Sequence, residues 1–238
     1  MRVSEDLRPS RRRPPDGRGV TVSQRLVNAL RDRILSGDME PGSRIVIDSL
    51  RDRYNVSHIP VREALRILEG EGLLTHVPNH GTHVADLSAP EIDSLYDVRI
   101  LLEPSLILRS CRVKTPNDVQ AAQRALETMA NLDPVADPVE FQNAHRDFHA
   151  SLIVPAATPV TRKILEPIWQ HVQRYLILMY RLPEIPPLGG AQHEEILAAW
   201  RDGEDACAGL LQDHLENGRQ QIGAALSTRS AASTTARD

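Results

Sequence analysis

The stretch VSHIPVREALRILEGEGLL, residues 56–74, carries more information about the fold than any other. A helix is predicted from about Pro60 to Glu71, because proline is tolerated in an opening turn and Gly72 supplies the stop. A shorter helix over residues 48–54 precedes it, with Asp48 as its cap, and Asn55-Val56-Ser57 forms the turn between them. In that arrangement Val56 plugs the angle between the helices and the Ser57 hydroxyl caps the second. Ile59, Leu65 and Leu68 are expected to face inward, with Ala64 at the close approach, leaving His58, Pro60, Arg62 and Arg66 toward solvent. A helix whose first N–H groups and cationic side chains point outward is suited to a nucleic-acid groove.

Outward from this stretch the pattern continues. Upstream, Val22, Leu26, Leu30 and Ile34 recur every fourth residue in a helix starting at Thr21 and ending at Gly37, and Pro41-Gly42 marks a turn. Downstream, LLTHVP and THVADL flank Asn79-His80-Gly81 and read as a small hairpin. Helix, helix-turn-helix and hairpin over residues 20–86 define a winged helix-turn-helix. After Pro90 only helical patterns remain, over about 90–114, 117–131, 138–153, 158–182, 190–202 and 204–223. The fold class is therefore mainly α: an N-terminal winged helix-turn-helix followed by an all-α bundle at 90–223. Pro104 and Pro167 are expected to kink or split their helices. Residues 1–19, rich in Arg, Pro and Gly, read as a disordered basic arm, and 226–238 as a disordered tail.

Composition agrees. Aromatics make up only 3% of the chain against 41% hydrophobic residues, so the core must come from Leu, Ile, Val and Ala. Cys111 and Cys207 belong to no metal-type pair and cannot form a disulfide framework. Residues 1–85 hold 14 Lys/Arg against 11 Asp/Glu and the remainder 14 against 21, so a mildly basic front (+3) meets an acidic rear (−7). No apolar run is long enough for a membrane span and no apolar segment follows Arg11–Arg13, so the cytoplasm is the expected compartment and no membrane partner is expected.

Four histidines stand out in the rear half. His145 and His149 lie one helical turn apart. His193 precedes the Asp202-Gly203 break by about 9 residues and His214 follows it by about 11, so an antiparallel pair of helices brings the two level. Four imidazoles placed this way can hold one metal ion. Spacing alone leaves open that they are ordinary buried polar side chains. Asp147 points away from this face and reads as solvated, and His171 as a core or surface residue.

LRDRILSGDMEPGSRI followed by VSHIPVREALRILEGEGLLTHVPNHGTHV resembles the DNA-binding domain of the GntR family of bacterial transcription regulators. VRILLEPSLILRSC, HRDFHASLIVPAATPV and AQHEEILAAWRDGEDACAGLLQDHL resemble, in order, the ligand-binding domain of its FadR-like, or FCD, branch. The resemblance implies a homodimer that binds palindromic operator DNA and responds to a small organic acid. It places Ser57, His58, Pro60 and Arg62 at the mouth of the reading helix and His80 and Gly81 at the wing tip; Arg44 and Arg66 are further candidate DNA contacts. Two departures matter: relatives commonly carry arginine where this chain has His58, and many carry another at Asp48. For the bundle it implies a divalent metal held by His145, His149, His193 and His214, with Arg99 lining the effector cavity. His145 stands where relatives have aspartate, which favours zinc, nickel or another transition metal over magnesium or calcium. A carboxylate or sugar-acid metabolite is the implied effector of a repressor. The alternatives are a regulator that senses the metal itself and, remotely, a metal-dependent hydrolase.

Overall fold

The computed structural model describes residues 21–180 and 190–235. Helix α1 (Val22–Leu35) is capped by Thr21, whose hydroxyl accepts the Gln24 N–H at 3.1 Å. Its buried face is Leu26, Val27, Leu30 and Ile34; Val22, at the helix start, stays 42% exposed. Helix α2 (Ile47–Tyr54) begins before Asp48, so Asp48 is not its cap but a first-turn carboxylate, favourably placed at the positive helix end. Asn55 ends α2 in the left-handed region (φ 50°), which asparagine tolerates better than most side chains.

Helix α3 (His58–Gly70) buries Val61, Ala64, Leu65 and Leu68. Two expectations fail here. The Ser57 hydroxyl makes no capping bond. Ile59 is 69% exposed, because the buried set runs i, i+3, i+4, i+7 from Val61 and Ile59, two residues earlier, lies about 200° around the helix from it. Val56 does pack against this core, as the turn requires.

Strands β1 (Leu74–Val77) and β2 (Gly81–Val84) pair antiparallel, Leu74 opposite Val84, and form the wing. The segment before α2 joins them: Arg44 bridges to His83, and Ile45 N–H donates to the Thr82 carbonyl at 2.8 Å. Gly42 (φ 76°) lies so close beneath that a Cβ would stand 2.8 Å from Asp86 Oδ1.

The bundle comprises α4 (Ala89–Val113), α5 (Pro116–Ala130), α6 (Pro138–Ile153), α7 (Pro159–Tyr180), α8 (Gly190–Asp202) and α9 (Ala206–Thr235). Neither proline splits its helix: Pro104 lies inside α4 and Pro167 inside α7. Buried residues on both sides, Glu103 and Leu106 about the first and Leu165 and Trp169 about the second, hold each helix together across the missing hydrogen bond. Helix α9 runs on to Thr235, into the 226–238 stretch whose composition suggests a disordered tail. Ala224, Ala225, Leu226, Ala231 and Ala232 are strong helix formers, which accounts for the continuation. The basic arm at 1–19 lies outside the described residues. The core is largely aliphatic, yet Phe148, Tyr175 and Trp200 sit at its centre. Among the described residues no helix is long and apolar enough to cross a membrane.

Helix α7 joins the two units. His171 Nε2 lies 2.8 Å from the Glu71 carbonyl at the end of α3. Arg174, 1% exposed, donates to the Ala85 carbonyl just after the wing. The Tyr175 hydroxyl accepts from Ser88 N–H at 3.0 Å and donates to Glu91 at 2.6 Å. His171, unremarkable in the sequence, is thus an inter-unit contact.

Candidate functional site

Helix α6 carries His145 and His149 one turn apart, α8 carries His193, and α9 carries His214. The turn at Gly203 (φ 85°) folds α9 back along α8 and levels the last two. All four rings are buried, at 8%, 2%, 0% and 7% exposure in chain order, and one nitrogen from each lies within 4.8 Å of every other. His145 Nε2 is 3.1 Å from His193 Nε2 and 3.2 Å from His149 Nε2.

Those distances permit a test of whether the site suits a cation. Imidazole nitrogens bound about 2.0–2.1 Å from one zinc, at octahedral or tetrahedral angles, stand roughly 2.8–3.4 Å apart. Hydrogen bonding alone fits less well. His145 Nε2 has either one proton or one lone pair and cannot complete linear bonds to both neighbours at once. A cation lets every lone pair point inward. Burial holds His145, His149 and His214 well below their ordinary pKa, with the neighbouring imidazoles and Arg99 adding to the effect, and holds His193 down at about 4. The nitrogens are therefore neutral and able to ligate near pH 7. His214 Nδ1 is 3.1 Å from Gln192 Oε1; a proton donated there leaves Nε2 as the free acceptor. No carboxylate joins the cluster among the described residues.

Arg99 stands beside this cluster. Only 4% exposed, it donates from Nε to Glu103 Oε1 at 2.7 Å, and its guanidinium lies 5.1 Å from the Tyr96 ring centre. Glu103, fully buried, also accepts the Trp169 indole N–H at 2.8 Å. Two small cavities flank Arg99 and His145. One reaches His149, Gln142 and Arg146; the other reaches His214 and Gln192. Each encloses about 20 Å³, room for roughly one water.

Gln142, 1% exposed, leaves its amide nitrogen without a hydrogen-bond partner among the described residues, beside the first cavity. Arg146 reaches the same cavity while donating to Gln173 Oε1 at 3.0 Å. Sequence reading missed both. The signal was present, since Gln142, His145, Arg146 and His149 follow the i, i+3, i+4, i+7 spacing of one helical face. Asp147 lies off this face, 65% exposed.

At the other end of the molecule, Arg44, Ser57, His58, Arg62, Arg66 and His80 are exposed, and Pro60 and Gly81 are half-buried. Arg44 Nε lies 3.8 Å from where a Gly81 Cβ would stand, which brings that residue to the wing tip. Neither Arg62 nor Arg66 makes an ion pair among the described residues, so both guanidiniums are available to an anion.

Comparison with known proteins assigns the two units. Residues 22–84 match the model for bacterial regulatory proteins of the gntR family, and residues 94–217 match the FCD domain. The HTH-type transcriptional regulator BphR of Paraburkholderia xenovorans is 31% identical over 204 residues, covering 79% of this chain and 80% of that protein. The gluconate operon transcriptional repressor of Bacillus subtilis is 30% identical over 154 residues, covering 65% and 61%. A solved structure of a GntR transcriptional regulator from Rhodococcus sp. RHA1 superimposes with a TM-score of 0.72 at 25% identity, covering 84% of this chain and 96% of that one. The chain belongs to the GntR family and carries an FCD domain behind its DNA-binding module. It is a DNA-binding transcriptional regulator rather than an enzyme.

Proposed function

We propose that this protein is a homodimeric, FadR-like repressor released from a palindromic operator by a small carboxylate or sugar acid that binds at a zinc-type metal site. The observation that carries the reading is the convergence of four buried, neutral imidazoles beside a buried arginine. His145, His149, His193 and His214 would hold the metal, with nickel or another transition metal as substitutes for zinc. When bound, the metal supplies a Lewis-acid position for an anionic oxygen. Arg99 orients the carboxylate, and Gln142 and Arg146 offer further donors to its oxygens. The gluconate repressor among the relatives supports a sugar acid as the effector class.

Reading of DNA falls to Arg62, with Ser57, His58, Pro60 and Arg66 beside it on α3, and to Arg44, His80 and Gly81 at the wing. Two copies related by a two-fold axis suit half-sites about one helical turn apart.

Helix α7 supplies the coupling. On one face Trp169, Val172, Gln173 and Leu176 line the first cavity; on another His171, Arg174 and Tyr175 hold the end of α3 and the segment after the wing. The cavity has room for roughly one water, so the entry of a sugar acid displaces its wall and α7 carries the displacement to the reading unit. A coupling of ~1–3 kcal/mol changes DNA affinity about 5–150-fold.

The test uses metal-loaded full-length protein, a panel of carboxylates and sugar acids, and two readouts: melting temperature and anisotropy of a labelled duplex selected by the protein from a random pool. A ligand that raises the melting temperature and releases DNA is expected. If adding or withdrawing the metal releases DNA and no organic anion does, the protein senses the metal instead. Arg62→Ala is expected to weaken binding to the selected duplex about 5–150-fold, from ~1–3 kcal/mol per bidentate base contact, and to leave the ligand-induced melting shift intact. Wild-type affinity in that variant would remove Arg62 from the reading surface.

A further inference from the structure

Between Asp48 in the first turn of α2 and His58 at the start of α3 the structure places a guanidinium. Arg51, on α2, directs Nη1 to His58 Nε2 at 3.1 Å. Nε and Nη2 both reach Asp52 Oδ1, at 2.9 and 2.8 Å, and Nη1 also lies 3.2 Å from Asp48 Oδ1. The guanidinium is thus clamped from two sides, with its side chain 38% exposed and that of His58 48% exposed at the mouth of the reading helix.

The chemistry of this contact has one consequence for His58. A guanidinium has donors only. The nitrogen that faces it must therefore present a lone pair, and the single ring proton must sit on Nδ1, on the other side of the imidazole. Asp48 Oδ1, the other group near Nε2, is farther away at 3.6 Å.

We propose that Arg51 is a positioning residue for DNA recognition: it holds the His58 ring with Nε2 as acceptor and the N–H on Nδ1, so that the reading helix offers DNA one directional N–H donor at this position. This rests on α3 being the reading helix. A single donor suits a single acceptor. In the major groove N7 is common to guanine and adenine, whereas the arginine fork pairs with guanine O6 and N7 together. His58 therefore accepts either purine at the base it meets, where an arginine would select guanine. Arg51 does this without touching the base, four of its five N–H groups facing Asp52, Asp48 and His58.

The test uses the full-length chain. Imidazole nitrogen NMR on histidine-labelled protein, with the His58 signals identified by their loss in His58→Gln, reads the tautomer directly. Wild type is expected to show Nδ1 protonated and Nε2 bare; Arg51→Met is expected to reverse this, and Arg51→Lys, which still donates, to keep the wild-type pattern. Duplexes selected from a random pool are expected to show either purine at one half-site position for wild type and guanine there for His58→Arg. On the wild-type-selected duplex Arg51→Met is expected to bind about fivefold more weakly, the loss of ~1 kcal/mol for one oriented hydrogen bond, with Arg51→Lys close to wild type and all melting temperatures unchanged.

A wild-type His58 protonated on Nε2, or a tautomer that ignores Arg51→Met, overturns the proposal. Weakened binding with an unchanged tautomer also overturns it and makes Arg51 a direct phosphate contact. Arg62→Ala separates this failure from that of the underlying reading. If Arg62→Ala loses the duplex while Arg51→Met binds as wild type, α3 reads DNA and only the role of Arg51 is wrong. If neither change matters, α3 is not the reading helix.

Discussion

Replacing Glu103 with alanine is expected to lower the unfolding free energy by about 3–5 kcal/mol, the usual cost of removing one partner from a buried ion pair. Glu103 is fully buried and answers two donors, Arg99 at 2.7 Å and the Trp169 indole at 2.8 Å. Without it, a guanidinium at 4% exposure loses its counter-ion and an indole N–H loses its acceptor. The Tyr96 ring 5.1 Å away offers only a weaker cation–π contact. Glu103→Gln keeps an oxygen for Trp169 but no charge for Arg99 and should fall between wild type and Glu103→Ala. The double change Arg99→Met with Glu103→Leu removes both charges and keeps the volume, so it is expected to recover the part of the stability lost to the unpaired guanidinium, though not the part lost at the Trp169 N–H, while abolishing the response to carboxylates. Urea unfolding midpoints for the four proteins check the ordering. A Glu103→Ala protein as stable as wild type would mean that Arg99 finds another anion, and the cavity described beside the histidines would have to be redrawn.

That arrangement shows which parts of the molecule the sequence makes legible. The fold was open to reading because its signals are local: the Val-Ser-x-x-Pro-Val-Arg-Glu run, the Asn-His-Gly turn and the 3.6-residue periodicity each act over a few residues. His145 and His149 were legible for the same reason, and His193 and His214 because a single Asp-Gly break sets the register of two helices. What stayed hidden depends on chain segments far apart in sequence. Glu103 meets Trp169 across 66 residues and His171 meets Glu71 across 100, and no local pattern encodes either meeting. Ile59 was misplaced for a different reason. It is apolar and stands next to the turn, but the helical phase is set by Val61 and Leu68, and phase outweighs hydrophobicity at a single site. That neither proline splits its helix has a tertiary cause as well: the lost hydrogen bond is a local cost, and the packing that outweighs it is tertiary. Gln142 and Arg146 could have been found, since they share the face of the two histidines.

Stripping the proposed metal should be the second large perturbation, because four neutral imidazoles packed together are stable only while nothing protonates them. Metal at about 100–1,000 times its dissociation constant adds ~2.7–4.1 kcal/mol to the folded state. For a chain of this size, at ~2–4 °C per kcal/mol, chelation should lower the melting temperature by about 5–16 °C. The stripped protein should also become acid-sensitive. Each of the four rings has its folded-state pKa below the ordinary 6.5, His193 at about 4 and the others well below, burial being the leading cause throughout. As pH falls below 6.5 the unfolded chain takes up protons that the folded chain refuses. Stability is therefore full above that pH and is lost on acidification, by up to ~1.4 kcal/mol per pH unit for each histidine. For His193 the loss ends near pH 4, where the folded state begins to protonate as well. The control is His193→Leu, which removes one proton-accepting ring and one proposed ligand together. It should bind metal more weakly, yet in the stripped state its stability should fall less steeply between pH 6.5 and 4 than that of stripped wild type. Equal acid slopes for the two proteins would mean that His193 is not held neutral in the folded state, and the electrostatic case for a cation at the centre of the four rings would fail with it.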